Sequence, residues 1–290
     1  MTPHRVDHGP RYGVGAVSGP QPHGQPEWVV AAVGELTAAY QTGVGCPPLR
    51  GRLLPAGEMA AAYAVQQAQL VQWTAAGRRP VGAKIGLTSR VVQAQLGVDQ
   101  PDFGVLLADM AVPDGEQLGW QGLLAPRVEA EVAFVLGADL TVPDPTVAEV
   151  IGAVDYLLPA IEIVDSRVAG WDISIVDTVA DNASSGRFVL GTAPRPVSAV
   201  DLRGCGMVLE RNGRPVSTGA GAACLGNPLH AVAWLAGVRA AAGAPLRAGD
   251  LVLSGALGPM VPVSGGEAFE ARISGLGSVR VCFELREGAV

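Results

Sequence analysis

"LLAPRVEAEVAF", residues 123–134, is an apolar run that carries two glutamates, Glu129 and Glu131, two positions apart. The run reads as a β-strand, and side chains at i and i+2 of a strand leave from one face, about 6.5–7 Å apart. Two bare carboxylates at that spacing repel unless water or a positive charge separates them. Periodicity leaves two readings open. In one, Val128, Ala130 and Val132 point inward and the glutamates face solvent; in the other, a buried carboxylate pair is neutralised by a cation.

A second segment bears on the choice. In "LLPAIEIV" (157–164), apolar residues occupy both faces, which describes a strand buried on both sides. An isolated carboxylate there is costly, so Glu162 needs a partner. Together Glu129, Glu131 and Glu162 form an all-oxygen donor set. Hard carboxylates suit Mg²⁺ or Mn²⁺, whereas zinc favours the His and Cys ligands that are scarce here.

Other polar residues carry weaker signals. Lys84 lies between Gly82, Ala83 and Gly86 in "GAKIGLTS", where little bulk stands in the way of a ligand, although most lysines extend to water. Any of Asp99, Asp102 and Asp109 in "DQPDFGVLLADM" could be a turn residue, the default for Asp in a stretch with Pro and Gly, and "DNASSG" (181–186) can hold a carboxylate or cap a turn. Three of the four histidines (His4, His8, His23) precede residue 27. The fourth, His230, lies in an Ala-rich helix where a packed or surface role is expected, so a Ser-His-Asp or Cys-His device is poorly served. HExxH and Walker A patterns are absent.

Working outward, apolar spacing predicts helices over 27–42 and 57–77, the second ended by Gly77, with a Gly/Pro-rich break between them. A short strand follows in "PVGAKIGLTS", then a short helix in "SRVVQAQLG" with Ser89 as N-cap. Strands are expected at 127–136, 154–164, 186–190, 206–211, 250–254, 260–263, 267–273 and 278–285, and one further helix at 228–243. Asn212-Gly213 favours a type I′ hairpin turn. The expected class is α+β: a flexible tail (1–26), a helical N-terminal lobe (27–80) and a β-rich domain (81–290).

Composition narrows the function classes. The 290-residue chain is 49% hydrophobic and 16% charged, enough for a sizeable core, and no apolar run approaches the ~20 residues of a membrane span. A net charge of −7 without a basic, aromatic-interleaved stretch argues against a nucleic-acid partner. Residues 1–27 lack the apolar core of a signal peptide, which predicts a cytoplasmic protein. "GVGAVSG" (13–19) has neither the strand before it nor the helix after it that a phosphate-binding loop needs. Cys46, Cys205, Cys224 and Cys282 are scattered without a CxxC pattern, as expected of free thiols.

"GAKIGLTS", "LGVDQPDFGVLLADM", "PRVEAEVAFVLG", "LPAIEIVDSRVAGWDISIVDTVADNASSG", "GMVLERNG" and "LSGALGPMVPV…GLGSVRV" occur in this order. They resemble the 2-oxopent-4-enoate (2-hydroxypenta-2,4-dienoate) hydratases, in the hydratase/decarboxylase branch of the fumarylacetoacetate hydrolase superfamily, over about Glu27 to Phe283. The resemblance implies a mixed β-roll with a helical N-terminal part and a homo-oligomer that can associate with other enzymes of its pathway. The implied reaction is metal-dependent hydration of a small 2-hydroxy dienoate to 4-hydroxy-2-oxopentanoate, in meta-cleavage catabolism of aromatic or steroid rings. It further implies Mg²⁺ or Mn²⁺ on Glu129, Glu131 and Glu162, proton transfer by Lys84 and Asp102, and substrate binding by Leu87 and Ser184, with Ser185 adjacent. A 2-oxo-3-hexenedioate decarboxylase is the alternative. A non-catalytic metabolite-binding or assembly subunit would be signalled by loss of a ligand carboxylate, and all three are present.

Overall fold

The computed structural model describes residues 24–55, 57–96 and 98–286. The tail expectation falls almost wholly outside them, as do the 13–19 glycine motif and His4, His8 and His23. The described residues begin with two helices, α1 (Glu27–Thr42) and α2 (Met59–Ala75). Strands β1 (Pro80–Gly86), β2 (Asp102–Leu107), β3 (Ala111–Val112), β4 (Gln117–Leu118), β5 (Arg127–Leu136), β6 (Val154–Val164) and β7 (Ser185–Leu190) follow, interleaved with helices α3 (Arg90–Leu96), α4 (Val147–Ala153) and α5 (Ile175–Ala180). The chain continues through β8 (Gly206–Arg211), β9 (Arg214–Ala220), α6 (Pro228–Ala241), β10 (Leu251–Leu253), β11 (Val261–Pro262), β12 (Ala268–Ile273) and β13 (Gly277–Phe283).

Local chemistry sets several boundaries. Gly43, in the left-handed region at φ 68°, ends α1 by donating its N–H to Ala39 O. Asn227 accepts from Leu229 N and precedes Pro228, so α6 starts with a side-chain cap and a residue that needs no donor. Asn212 and Gly213 both have positive φ (51° and 74°), forming the expected tight turn between β8 and β9.

The strands form two sheets. The larger runs β2-β1-β10-β5-β6-β7-β3 with β11 added to β5; the smaller runs β4-β13-β12-β8-β9. A core fills the space between them, with Val128, Ala130, Val132 and Phe134 of β5 meeting Leu209, Phe269, Ala271 and Val281 of the smaller sheet. The even-numbered residues of β5 therefore point into the sandwich, as expected. The opposite face is not open solvent, however, and the exposed-glutamate reading fails for Glu131, which is fully buried, while Glu129 stays partly exposed where it lines a cavity.

On that other side, Leu70 and Trp73 of α2 pack against a cluster that includes Ala133 of β5 and Ala160 of β6, and the helices form a core of their own. Val29, Val33 and Leu36 of α1 and Ala62 and Val65 of α2 pack with Val168, Val176 and Val179, so α5 completes a core begun by residues far earlier in the chain. Two buried glutamines lock this packing. Gln66 donates to Phe103 O (2.9 Å) and Val179 O (3.1 Å), and Gln69 donates to Ala180 O. Sequence reading missed β2, α4 and α5, all six or seven residues long and too short to show a period. Asp102 is corrected from turn residue to first residue of β2. Among the described residues, no helix is long and apolar enough to cross a membrane.

Candidate active site

Register brings the glutamates together. Glu129 of β5 lies directly opposite Glu162 of β6, and Glu131 lies opposite Ala160 on the same face as Glu129. One carboxylate oxygen from each of the three falls within 4.8 Å of the others. Lys84, buried on β1, places Nζ 3.2 Å from Glu162 Oε1. Glu131 Oε2 accepts the N–H of Gly255 at 2.8 Å. Gly255 turns the chain out of β10 at φ 93°, where a Cβ would collide with the Thr88 side chain.

One lysine does not balance this much buried negative charge. Burial, then Glu162, pushes Glu129 up to about 7, and the same two causes together with Glu129 raise Glu131 well above the usual carboxylate range. Burial pulls the Lys84 ammonium down, but Glu162, Asp102, Glu129 and Glu131 outweigh it and hold the group protonated. Among the described residues, Glu131 Oε1 and both Glu162 oxygens lack a well-aligned hydrogen-bond donor. Clustered hard oxygens, raised proton affinities and lone pairs without donors are the chemistry of a divalent-cation site, and the residues fit Mg²⁺ or Mn²⁺.

Asp102 stands at the start of β2 opposite Gly86. A Cβ on Gly86 would overlap Asp102 Oδ1, so the glycine makes room for the carboxylate. Asp102 is 1% exposed, and among the described residues neither of its oxygens has a well-aligned donor. Burial pushes it up to about 6 against the pull of Lys84.

Ser184 arrives by an unusual backbone. Asn182, Ala183 and Ser184 all have φ between 52° and 55°, a left-handed conformation that costs non-glycine residues about 1–3 kcal/mol each. The surroundings hold it there. Arg167, fully buried against the Tyr40 ring, donates to Asp181 Oδ1 (2.5 Å), Asp181 O (2.9 Å) and Ser185 O (3.0 Å). The Asn182 side chain exchanges two hydrogen bonds with the backbone of Val105 (2.8 and 2.9 Å). Breaking a buried pair such as Arg167–Asp181 costs about 3–5 kcal/mol, so the network resists release of the strained turn. Ser184 Oγ is left buried and unpartnered.

Two cavities meet here. One, about 330 Å³, is lined by Lys84, Asp102, Glu129, Ser184, Thr178 and Trp171. The other, about 490 Å³, is lined by Thr88, Ala223, Ala256, Gly258 and Pro259. Gly86, Leu87, Arg127, Glu129 and Met260 border both. Leu87, at φ 54°, thus lies on the shared wall.

All seven residues singled out from sequence therefore gather in one region: the three glutamates and Lys84 in contact, and Asp102, Ser184 and Leu87 around the smaller cavity. Ser185 Oγ is also buried and unpartnered, but Ser184 alone of the two lines the cavity. His230 is exposed, with Nδ1 3.1 Å from Leu225 O, as a surface role requires. The cysteines are free. Sequence reading missed Arg127, Trp171 and Met260. Arg127 had a usable signal, since it sits two positions before Glu129 and shares its strand face; Trp171 and Met260 had none.

Comparison with known proteins agrees with this geometry. Residues 80–284 match the family model "Fumarylacetoacetate (FAA) hydrolase C-terminal". The chain is 57% identical over 248 residues to the "TodF product hydratase" of Pseudomonas putida, covering 86% of this chain and 92% of that one. It is 54% identical over 262 residues to the "2-keto-4-pentenoate hydratase" of Paraburkholderia xenovorans, covering 90% and 97%. Among solved structures, the 4-oxalocrotonate decarboxylase of Pseudomonas putida G7, complexed with magnesium and adipate, superposes with a TM-score of 0.86 at 38% identity, over 90% of this chain and 99% of that one.

Proposed function

The chain belongs to the fumarylacetoacetate hydrolase family, and from that premise we propose how its buried carboxylates act. The enzyme is a hydro-lyase, a 2-keto-4-pentenoate hydratase of meta-cleavage catabolism. It adds water to 2-hydroxypenta-2,4-dienoate to give 4-hydroxy-2-oxopentanoate. The observation that carries the site assignment is the convergence of three glutamate oxygens within 4.8 Å, with lone pairs unsatisfied, beside Lys84 and Asp102.

In this reading Glu129, Glu131 and Glu162 hold Mg²⁺ or Mn²⁺. When bound, the ion supplies Lewis acidity toward the oxygens of a 2-oxo acid. The remaining work falls to side chains. The substrate must gain a proton at C5 while its enol O–H proton leaves, then accept water at C4 and a proton at C3. Asp102 is the proton carrier, because its carboxyl is buried, has its proton affinity raised by that burial, and lines the cavity. Lys84 is engaged by Glu162 and stays cationic, so it opposes the negative charge that develops on the substrate. Ser184 Oγ, fixed by the left-handed turn, is positioned to hydrogen-bond the substrate. Burial of Lys84, Asp102, Glu131 and Glu162 lowers the local screening, which strengthens each of these interactions. The reading includes a homo-oligomer in the cytoplasm, which sedimentation and cell fractionation test.

The direct experiment follows freshly generated 2-hydroxypenta-2,4-dienoate by ultraviolet absorbance, with and without Mg²⁺ or Mn²⁺, and identifies the product by NMR. Metal-dependent formation of 4-hydroxy-2-oxopentanoate is expected. Silence on this substrate with carbon dioxide release from 2-oxo-3-hexenedioate would replace hydration by decarboxylation at the same site.

A further inference from the structure

The substrate is an anion, and the site already holds four acidic side chains. Among the residues lining the two cavities, only Lys84 and Arg127 are cationic, and Lys84 is taken by Glu162. Arg127 has a different environment from the buried Arg167. Its guanidinium carbon lies 4.2 Å from the centre of the Trp171 ring, and Nη1 lies 3.7 Å from Met260 Sδ. It has no carboxylate partner among the described residues. A guanidinium stacked on an aromatic face directs its in-plane N–H donors outward, and a thioether is a weak acceptor that a planar anion displaces.

The platform itself is fixed. Trp171 has φ 57° and donates Nε1–H to Ala125 O at 2.8 Å, so the ring is tied to the segment that leads into β5. Arg127 leaves β5 on the same face as Glu129 and Glu131, and both it and Glu129 border the two cavities. A donor fork at that junction can engage a carboxylate whose other atoms approach the glutamate cluster.

We propose that Arg127 binds the C1 carboxylate of the substrate, with Trp171 as the positioning residue that aims it. This rests on the 2-oxo-acid reading of the site, and it names the recognition element that the three glutamates, Lys84 and Asp102 do not supply.

The test uses the full-length, Mg²⁺-loaded protein and titrates 2-oxopentanoate, a saturated 2-oxo acid that cannot be hydrated, and its neutral amide by calorimetry. For R127M, affinity for the acid is expected to fall about ten- to a hundredfold, the range of one charge-assisted hydrogen-bond pair, with the amide unaffected. KM for the dienoate rises in parallel while kcat changes little. R127K recovers part of the affinity, as a point charge without the fork, and W171L shows a smaller loss of the same pattern. Mg²⁺ affinity stays equal or tightens, because a cation beside the acidic cluster has been removed. Unchanged acid binding in R127M, equal loss of acid and amide, weakened Mg²⁺ binding, or loss confined to a diacid such as adipate would each overturn the assignment. Failure of the wild-type protein to hydrate the dienoate is a separate result. It would remove the hydratase reaction and leave the Arg127 assignment to the binding data.

Discussion

Each of the two sheets sets a glutamate directly opposite another across an antiparallel pair, Glu129 against Glu162 in the larger and Glu210 against Glu270 in the smaller. Their surroundings differ. In the smaller sheet Arg272 reaches Glu210 (3.5 Å) and Glu270 (3.1 Å), and Arg280 reaches Glu270 at 2.9 Å. These groups are partly exposed, and hydrogen bonds from Arg280, against slight burial, hold Glu270 below the usual carboxylate range. In the larger sheet the pair is joined by Glu131 and given one lysine, and burial drives Glu129 and Glu131 upward. A cross-strand carboxylate pair is thus no sign of function by itself. Burial without enough cations marks the functional pair, since the folded chain tolerates the repulsion only where a ligand relieves it.

The sharpest way to break this contrast is by amide substitution. Glu131→Gln is expected to lower turnover at least about a thousandfold, the scale of several kcal/mol of lost metal assistance. It should also raise the melting temperature of the metal-free protein, because a repelling buried carboxylate is gone. A metal-free variant that melts lower than wild type would show that Glu131 is a structural acceptor for Gly255.

Metal itself should act on one sheet only. At a hundredfold excess over Kd, Mg²⁺ or Mn²⁺ is expected to stabilise the wild-type chain by about 2.7 kcal/mol, read as a rise of about 5 °C or more in Tm that chelation reverses. Glu131→Gln should lose this rise, and Glu270→Gln should keep it.

The two pairs should also respond to pH with opposite signs. Asp102 and Glu129 are raised to about 6 and about 7 from 3.8 and 4.5, so between those limits the folded metal-free chain binds more protons than the unfolded chain. The stability they contribute is present below the ordinary values and is lost as pH rises through the raised ones. The metal-free protein should therefore lose several degrees of Tm between about pH 5 and pH 8, and metal should abolish that loss. Glu270 is lowered, so its contribution is present above 4.5 and disappears as pH falls. A metal-free Tm that rises across the upper range would contradict the raised values.

The smallest effect belongs to the outer pair. Glu270→Gln should shift stability by less than about 1 kcal/mol, shrinking further in high salt, with turnover unchanged. Any change in kcat would make the two sheets functionally continuous.

Much of this site was legible because its chemistry runs against the local pattern. Charged residues inside apolar strands announce themselves, so Glu129, Glu131 and Glu162 stood out, as did β5 and β6, which are ten and eleven residues long. What could not be read was which face is covered. That depends on Leu70 and Trp73 of α2 packing against the cluster that includes Ala133 of β5, from positions distant in the chain, and no periodicity in residues 127–136 encodes it. The strand position of Asp102 was hidden for a related reason. Its Pro and Gly neighbours are turn formers, yet Gly104 sits inside β2 and Gly86 faces the aspartate as a gap for its carboxylate. Trp171 and Met260 lie in short irregular segments that acquire meaning only beside Arg127.

The Asn182 amide has a consequence beyond holding Ser184. β2 is the outermost strand at its end of the larger sheet, and such an edge presents backbone donors and acceptors to any strand that arrives. Asn182 takes both the N–H and the C=O of Val105, as a neighbouring strand would. The loop that seats Ser184 therefore also closes the sheet against self-association, and damage to it should show as aggregation as well as lost turnover.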